Sequence, residues 1–222
     1  NVTVDLRTGA MRQHNQEDHI TRMTTVPYDQ TAGCPKWEAF LTKIFPGKPY
    51  LPFFLQQAAG YSLTGNTREQ CIFIPYGTGQ NGKSTFLDVL GSIMGDYAGH
   101  IPVEALLVSK RDGDSAAIAR LRGARLVSAS EAEEGKRLAE SLVKQMTSGE
   151  RMTARVLYAN YFDFHPQFKL WLSTNHKPVI RSNGTAGAVE PTTTTFTVQG
   201  SLGRCLSGIT TAENGPVMLT ML

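Results

Sequence analysis

No stretch of about 18 consecutive apolar residues occurs in the 222-residue sequence, so there is no candidate for a membrane-spanning helix and no membrane partner is expected. A charged-then-apolar leader is missing as well, which argues against a signal peptide and for a cytoplasmic location. Cysteine is scarce. Cys34, Cys71 and Cys205 are odd in number and show no C-x-x-C or Cys/His spacing, so they read as buried or incidental thiols rather than metal ligands. His14, His19, His165 and His176 have no ligand-like partners nearby in sequence and read as structural or surface residues. A strong charge of one sign is also lacking: the net charge of +3 permits nucleic acid as a partner without requiring it. What is present, 41% hydrophobic residues, suffices for one core or one core with a small satellite. The chain starts at Asn1 and its first stretch has no obvious core, which suggests a piece of a longer polypeptide with further domains upstream.

The rest is organised around Gly77, Thr78, Gly79, Gln80, Asn81, Gly82, Lys83 and Ser84, which fit the G-x-x-x-x-G-K-[ST] pattern. Cys71 to Pro75 before it is a short apolar run with β-branched and aromatic members, the mark of a buried strand. After it, Phe86, Leu87, Leu90 and Ile93 define one face of a helix that starts near Lys83. Strand, glycine loop and helix is the order a polyphosphate requires. Glycines allow positive φ and close backbone approach, the loop amides turn inward, and the helix points its positive end at the same phosphates. ATP and Mg2+ are therefore the expected cofactors, with residues Gly77 to Ser84 and the following Thr85 around the phosphates. Lys83 would reach the β- and γ-phosphates, and the Ser84 hydroxyl would sit on the magnesium ion.

Upstream, residues 1 to 33 are polar and irregular, with extended candidates such as Val2 to Leu6 and a turn at Thr8-Gly9. A helix is predicted from Pro35 to Phe45, with Trp37, Phe40, Leu41 and Ile44 on one face, and a second from Leu51 to Ala59 with Gly60 near its end. Downstream, Gly91 to Gly99 reads as a helix end and a turn, and Val103 to Leu107 as a short helix or a strand. Lys110 to Asp114 reads as a mobile charged loop, Ala116 to Leu121 as a short helix and Arg125 to Ala129 as a second strand. Leu138, Leu142, Val143 and Met146 share a helix face that ends at Gly149. Residues 153 to 164 suit a hairpin, and Phe168 to Ser173 is a third strand running into Thr174-Asn175. Strands interleaved with helices give an α/β fold with a mainly parallel central sheet, preceded by a small helical subdomain. The expected segments are a lead-in and helical subdomain over 1–66, a core over 67–183 and an atypical Gly/Thr-rich tail over 184–222.

Ligands of such sheets sit at the carboxyl ends of the strands, where Glu131 and Asn175 fall. Glu131 could orient water or bind magnesium through water. Glu133 and Glu134 are nearby, and all three are equally acids at the start of a helix, complementing its dipole. Asn175 could hydrogen-bond the attacking water or the γ-phosphate, or could serve the turn that follows. Arg151 and Arg155 beside Tyr158, Tyr161 and Phe162 suit either a solvated surface or a basic, stacking hairpin for single-stranded nucleic acid.

The strings GTGQNGKST, RLVSASEAEEG and LYANYFDFHPQFKLWLSTNHKP, with Gly60 to Gly65 upstream, resemble the phage and plasmid primase-helicases that have a D5-like N-terminal region and a superfamily 3 helicase core. The resemblance covers roughly residues 3 to 181. It implies a P-loop NTPase of AAA+-like fold, usually a homo-hexameric ring, that hydrolyses ATP to move on single-stranded or forked DNA in the cytoplasm of a bacterial host. It also implies a primase module upstream. By this resemblance Lys83 and Ser84 are the Walker A lysine and magnesium ligand, Glu131 is the Walker B glutamate and a second metal-site residue, and Asn175 is the sensor asparagine; Lys83, Glu131 and Asn175 form the catalytic set. Such helicases continue with a Trp-Arg-Arg-like stretch that supplies an arginine finger. Residues 184–222 instead hold a single arginine, Arg204, against Glu190 and Glu213. A disordered tail or a reading-frame change is expected there, and with it feeble hydrolysis: an arginine finger is worth on the order of a thousandfold in other NTPases. The other reading is a nucleotide-binding assembly or DNA-binding module with little turnover.

Overall fold

The computed structural model describes residues 2–29, 31–77, 80–108, 115–130 and 137–175, together with the backbone of 195–200. The chain opens with an antiparallel pair, β1 (Thr3–Val4) and β2 (Met11–Arg12). Helix α1 (Pro35–Ile44) begins on proline, whose missing N–H is no loss in a first turn, and α2 (Tyr50–Leu63) follows it. Then come β3 (Cys71–Tyr76), α3 (Lys83–Met94), β4 (Ala98–His100), α4 (Ser115–Ala119), β5 (Leu126–Ser130) and α5 (Glu140–Ser148). The hairpin β6 (Met152–Arg155) and β7 (Tyr161–Phe164) leads into β8 (Lys169–Ser173), and β9 (Thr195–Gly200) lies within the segment expected as a tail.

Four strands run parallel in the order β4-β5-β8-β3, and β9 pairs antiparallel with the outer edge of β3. This is the mixed α/β architecture the alternation predicts. Parallel strands covered on both faces should be apolar throughout, and all five residues of β8 are buried. Alternation then sorts them. Phe168, Leu170 and Leu172 join Ile72, Ile74, Val127 and Ala129 in a core completed by α4, α5 and the β6–β7 hairpin. Trp171 points the other way, into a second core with Phe73, Phe86, Leu90 and residues of α1 and α2.

Three details depart from the sequence reading. Residues 98–100 form a strand where a turn was expected; a three-residue Ala-Gly-His segment carries no strand pattern, and its pairing with Leu126–Ser128 makes it one. Helix α2 runs through the buried Gly60 to Leu63, because Ser62 in its last turn accepts a hydrogen bond of 3.1 Å from the Trp171 indole. Tertiary contact here overrides the glycine stop. Leu138 precedes α5, bridging Leu107 instead of sharing the helix, while Val103–Leu106 form a 3-10 turn. The expected loop over 110–114 and most of the expected tail lie outside the described residues.

The polar lead-in is tied down far from its own sequence. Arg22 donates to the carbonyls of Asp96 and Arg122, Met23 N–H to Asp96 Oδ2 at 3.1 Å, and Thr25 to the Ser92 carbonyl. Gly95 (φ 53°) is required at this junction, since a Cβ there would meet the Met23 carbonyl at 2.8 Å.

Lys169 opens β8 with a buried ammonium that donates to the carbonyls of Thr64, Asn66 and Gln167 and lies 4.6 Å from the Tyr61 ring centre. Burial, with Arg125 nearby, pushes its pKa down to about 7. Between that value and the ordinary lysine range the unfolded chain holds a proton that the native chain has released, so stability rises with pH across this window. The urea midpoint should therefore increase from pH 6.5 to pH 8.5, and Lys169→Met should flatten that increase. A wild-type midpoint that falls over this range would contradict the assignment.

Candidate functional site

The site is built at the carboxyl end of the sheet. β3 delivers the chain into the glycine loop and α3 carries it away, with Phe86 N–H donating to Gly82 O at 2.9 Å as an opening helical bond. Gly82 has φ 83°, a left-handed conformation that suits glycine, and Gln80 (φ 61°) shares it. The loop entrance is fastened to β8: Thr174 N–H donates to Pro75 O at 3.0 Å, and Gly77 N–H to Thr174 O at 3.3 Å. That fastening places residue 175 beside the loop.

Lys83, at the first turn of α3, is 93% buried, unusual for a lysine. Its Nζ donates to Gly77 O at 2.5 Å, Asn81 Oδ1 at 2.8 Å and Asn175 Oδ1 at 3.0 Å. Two residues separated by 92 positions, Lys83 and Asn175, thus meet at one point. Ser84 and Thr85 follow on the exposed side of the same turn. An anion entering here would find the Lys83 ammonium, the positive amino-terminal end of α3 and a loop without side-chain bulk at Gly82. These residues fit a polyphosphate: each acceptor now on Nζ is a neutral oxygen that an anionic one would displace.

Of the sequence-predicted set, Gly77, Gln80, Asn81, Gly82, Lys83, Ser84, Thr85 and Asn175 fall together in this corner, whereas Thr78, Gly79, Glu131, Glu133 and Glu134 lie outside the described residues. Ser130, which ends β5, is in register with Ser173 on β8, so that strand ends at the same edge. Phe40 and Ile44 of α1 also stand at this corner, beyond the residues the sequence motif names. A Cβ on Gly82 would lie 3.0 Å from Ile44 Cγ2 and 3.1 Å from Phe40 Cε2 and Cζ. Their helical spacing signalled a buried face but not what it faces.

The β6–β7 hairpin directs Met152, Ala154 and Phe164 inward and leaves Tyr158 98% and Tyr161 66% exposed. Arg155 lies 5.0 Å from the Tyr161 ring centre and Arg122 5.4 Å from that of Phe162, while Arg151 pairs with Asp163. Basic and aromatic groups therefore share this surface. Among the described residues no helix is long and apolar enough to cross a membrane.

Residues 76–187, which hold the loop, β5, the hairpin and Asn175, match the family of unknown function DUF5906. The chain belongs to the DUF5906 family. Residues 1–46 match a further family described as D5 N terminal like. Relatives of this DUF5906 member include "Putative helicase L207/L206" of Acanthamoeba polyphaga mimivirus, 30% identical over 82% of the chain, and "Putative helicase 022R" of Frog virus 3, 29% identical over 74%. The chain spans about a fifth of the length of these relatives, 20% and 18% respectively. In fold it is similar to the apo NrS-1 C-terminal region (305–718), with a TM-score of 0.51 and 16% identity over 67% of this chain and 35% of that one.

Proposed function

We propose that this chain is the ATP-hydrolysing core of a viral replication helicase of superfamily 3 type, coupling nucleotide turnover to movement on DNA. The observation that carries it is the Lys83–Asn175 contact: the lysine of the glycine loop and the asparagine at the tip of the adjacent strand share one oxygen-lined point. The relatives named as helicases and the D5-like N-terminal match support the same reading.

In this reading the loop is a phosphate loop, and Lys83 exchanges its three neutral acceptors for β- and γ-phosphate oxygens. Asn175 then holds the attacking water or the γ-phosphate, Ser84 holds Mg2+, and Glu131 polarises the water. Magnesium bound with ATP supplies charge neutralisation between the phosphates. The hairpin of Arg155, Tyr158 and Tyr161 offers single-stranded DNA a stacking surface, and the working form is an AAA+-like homo-hexamer joined to a primase in the full-length protein.

The test is ATP hydrolysis by the purified chain, extended upstream if needed, with and without single-stranded DNA, followed by unwinding of a forked duplex. DNA-stimulated phosphate release is expected. Nucleotide binding without release, even on DNA, would move the assignment to a binding or assembly module. Asn175→Ala should leave ATP affinity within about threefold while lowering hydrolysis by roughly ten- to a hundredfold, because it removes a group used mainly in the transition state. Equal losses in binding and turnover would remove Asn175 from that role.

A further inference from the structure

Helix α1 stands directly behind the glycine loop. Trp37, Phe40 and Ile44 recur on one face of it, and Trp37 stacks on Phe86 in the first turn of α3 with ring centres 5.4 Å apart and planes inclined by 23°. Trp37 also meets Phe40 at 5.4 Å. The next contact along the stripe is Gly82 itself: the 3.0–3.1 Å that a Cβ there would have to Phe40 and Ile44 is tighter than ordinary packing tolerates. The wall is apolar and half-buried, and Gly82, left-handed at φ 83°, is the residue from which α3 starts. The far end of the same helix is held by Thr25 on Ser92 and by the Met23–Asp96 pair of hydrogen bonds. Both grips come from the 1–46 region that matches the D5-like family.

We infer that Phe40 and Ile44 are positioning residues for the phosphate loop, fixing the Gly82 conformation from which α3 and its amides meet a nucleoside triphosphate. The inference rests on the nucleotide reading above. The D5-like segment is then part of the nucleotide site's scaffold, and its displacement loosens the grip on phosphate.

ATP dissociation constants and turnover are compared for the wild type, Phe40→Ala/Ile44→Ala, the milder Phe40→Leu, and Met146→Ala, a buried residue on the opposite face of the sheet. The double variant should bind ATP about tenfold more weakly, with turnover at saturation within about twofold, the pattern of a lost ground-state contribution. Phe40→Leu should weaken binding by about threefold, and it carries the comparison if the double variant does not fold. Met146→Ala should lower the melting temperature while leaving ATP affinity unchanged. Unaltered affinity in the two α1 variants, or an equal loss in Met146→Ala, overturns the inference alone. A wild type that binds no ATP overturns it together with the nucleotide reading.

Discussion

Lys83→Ala is expected to abolish ATP turnover, by on the order of a thousandfold, and to weaken ATP binding. Removing one preorganised donor from a developing oxyanion costs about 10²–10³ in rate, and Lys83 carries a full charge where such a donor is usually a neutral amide. The burial of its side chain matters to the size of the effect. Water cannot substitute for an ammonium that is 93% enclosed, and the surrounding low dielectric strengthens each contact it makes with phosphate. Lys83→Arg should fare little better. Nζ is already within 2.5–3.0 Å of three oxygens, and a planar guanidinium cannot occupy a point fitted to a compact ammonium. Lys144, exposed on α5, provides the control: Lys144→Ala should retain wild-type turnover in the same phosphate-release assay. Undiminished hydrolysis by Lys83→Ala would sink the nucleotide reading outright.

The largest effect on stability is expected at Trp171. It is fully buried at the middle of β8, stacked on Phe73 with ring centres 4.3 Å apart and tilted against Phe86 at 5.6 Å. Its indole N–H is satisfied by Ser62 of α2. One side chain thereby joins β8, β3, α3 and α2. Trp171→Ala should cost about 3–5 kcal/mol, through lost transfer energy and the cavity left between sheet and helices. Ser62→Ala isolates the polar part: it leaves the indole donor buried without that partner and should cost about 1–3 kcal/mol. Urea denaturation followed by circular dichroism measures both. A loss below about 1 kcal/mol in Trp171→Ala would mean that the second core does not depend on this ring. Asn175 lies four residues further along the same chain, so a loosened β8 should also reduce turnover in proportion to the unfolded fraction.

The order strand, glycine loop and helix could be read from residues 71–94 because each part has its own local signal: an apolar run, glycines, and a helical stripe. β8 was legible for the same reason, whereas the hairpin over 153–164 alternates poorly and its first strand, suggested by Val156 to Tyr158, lies earlier, at Met152–Arg155. The three-residue β4 was not, since its strand character comes from partners in β5 and not from Ala98, Gly99 or His100. Nor was the meeting of Lys83 with Asn175, which follows from β8 lying beside β3 in the sheet, an ordering that periodicity does not encode. Spacing alone left Asn175 between turn residue and site residue; the strand order places its Oδ1 within 3.0 Å of Lys83 Nζ. The stripe of α1 was read correctly as a buried face. Only the positive φ of Gly82 and the closeness of Phe40 reveal that the buried face is a wall of the loop.

The sheet order also has a consequence for biosynthesis. β3 lies between β8 and β9, both encoded well downstream, so when Tyr76 leaves the ribosome neither neighbour of the strand that carries the loop yet exists. At about 5–20 residues per second, β8 follows roughly five to twenty seconds later. Throughout that interval Ile72, Phe73 and Ile74 are an apolar run without either of its sheet partners, and the nascent loop has no Asn175 against which to settle. The helices made before it, α1 and α2, are what the emerging strand can lean on, and the N-terminal region thus acts as an early shelter for a centre assembled late.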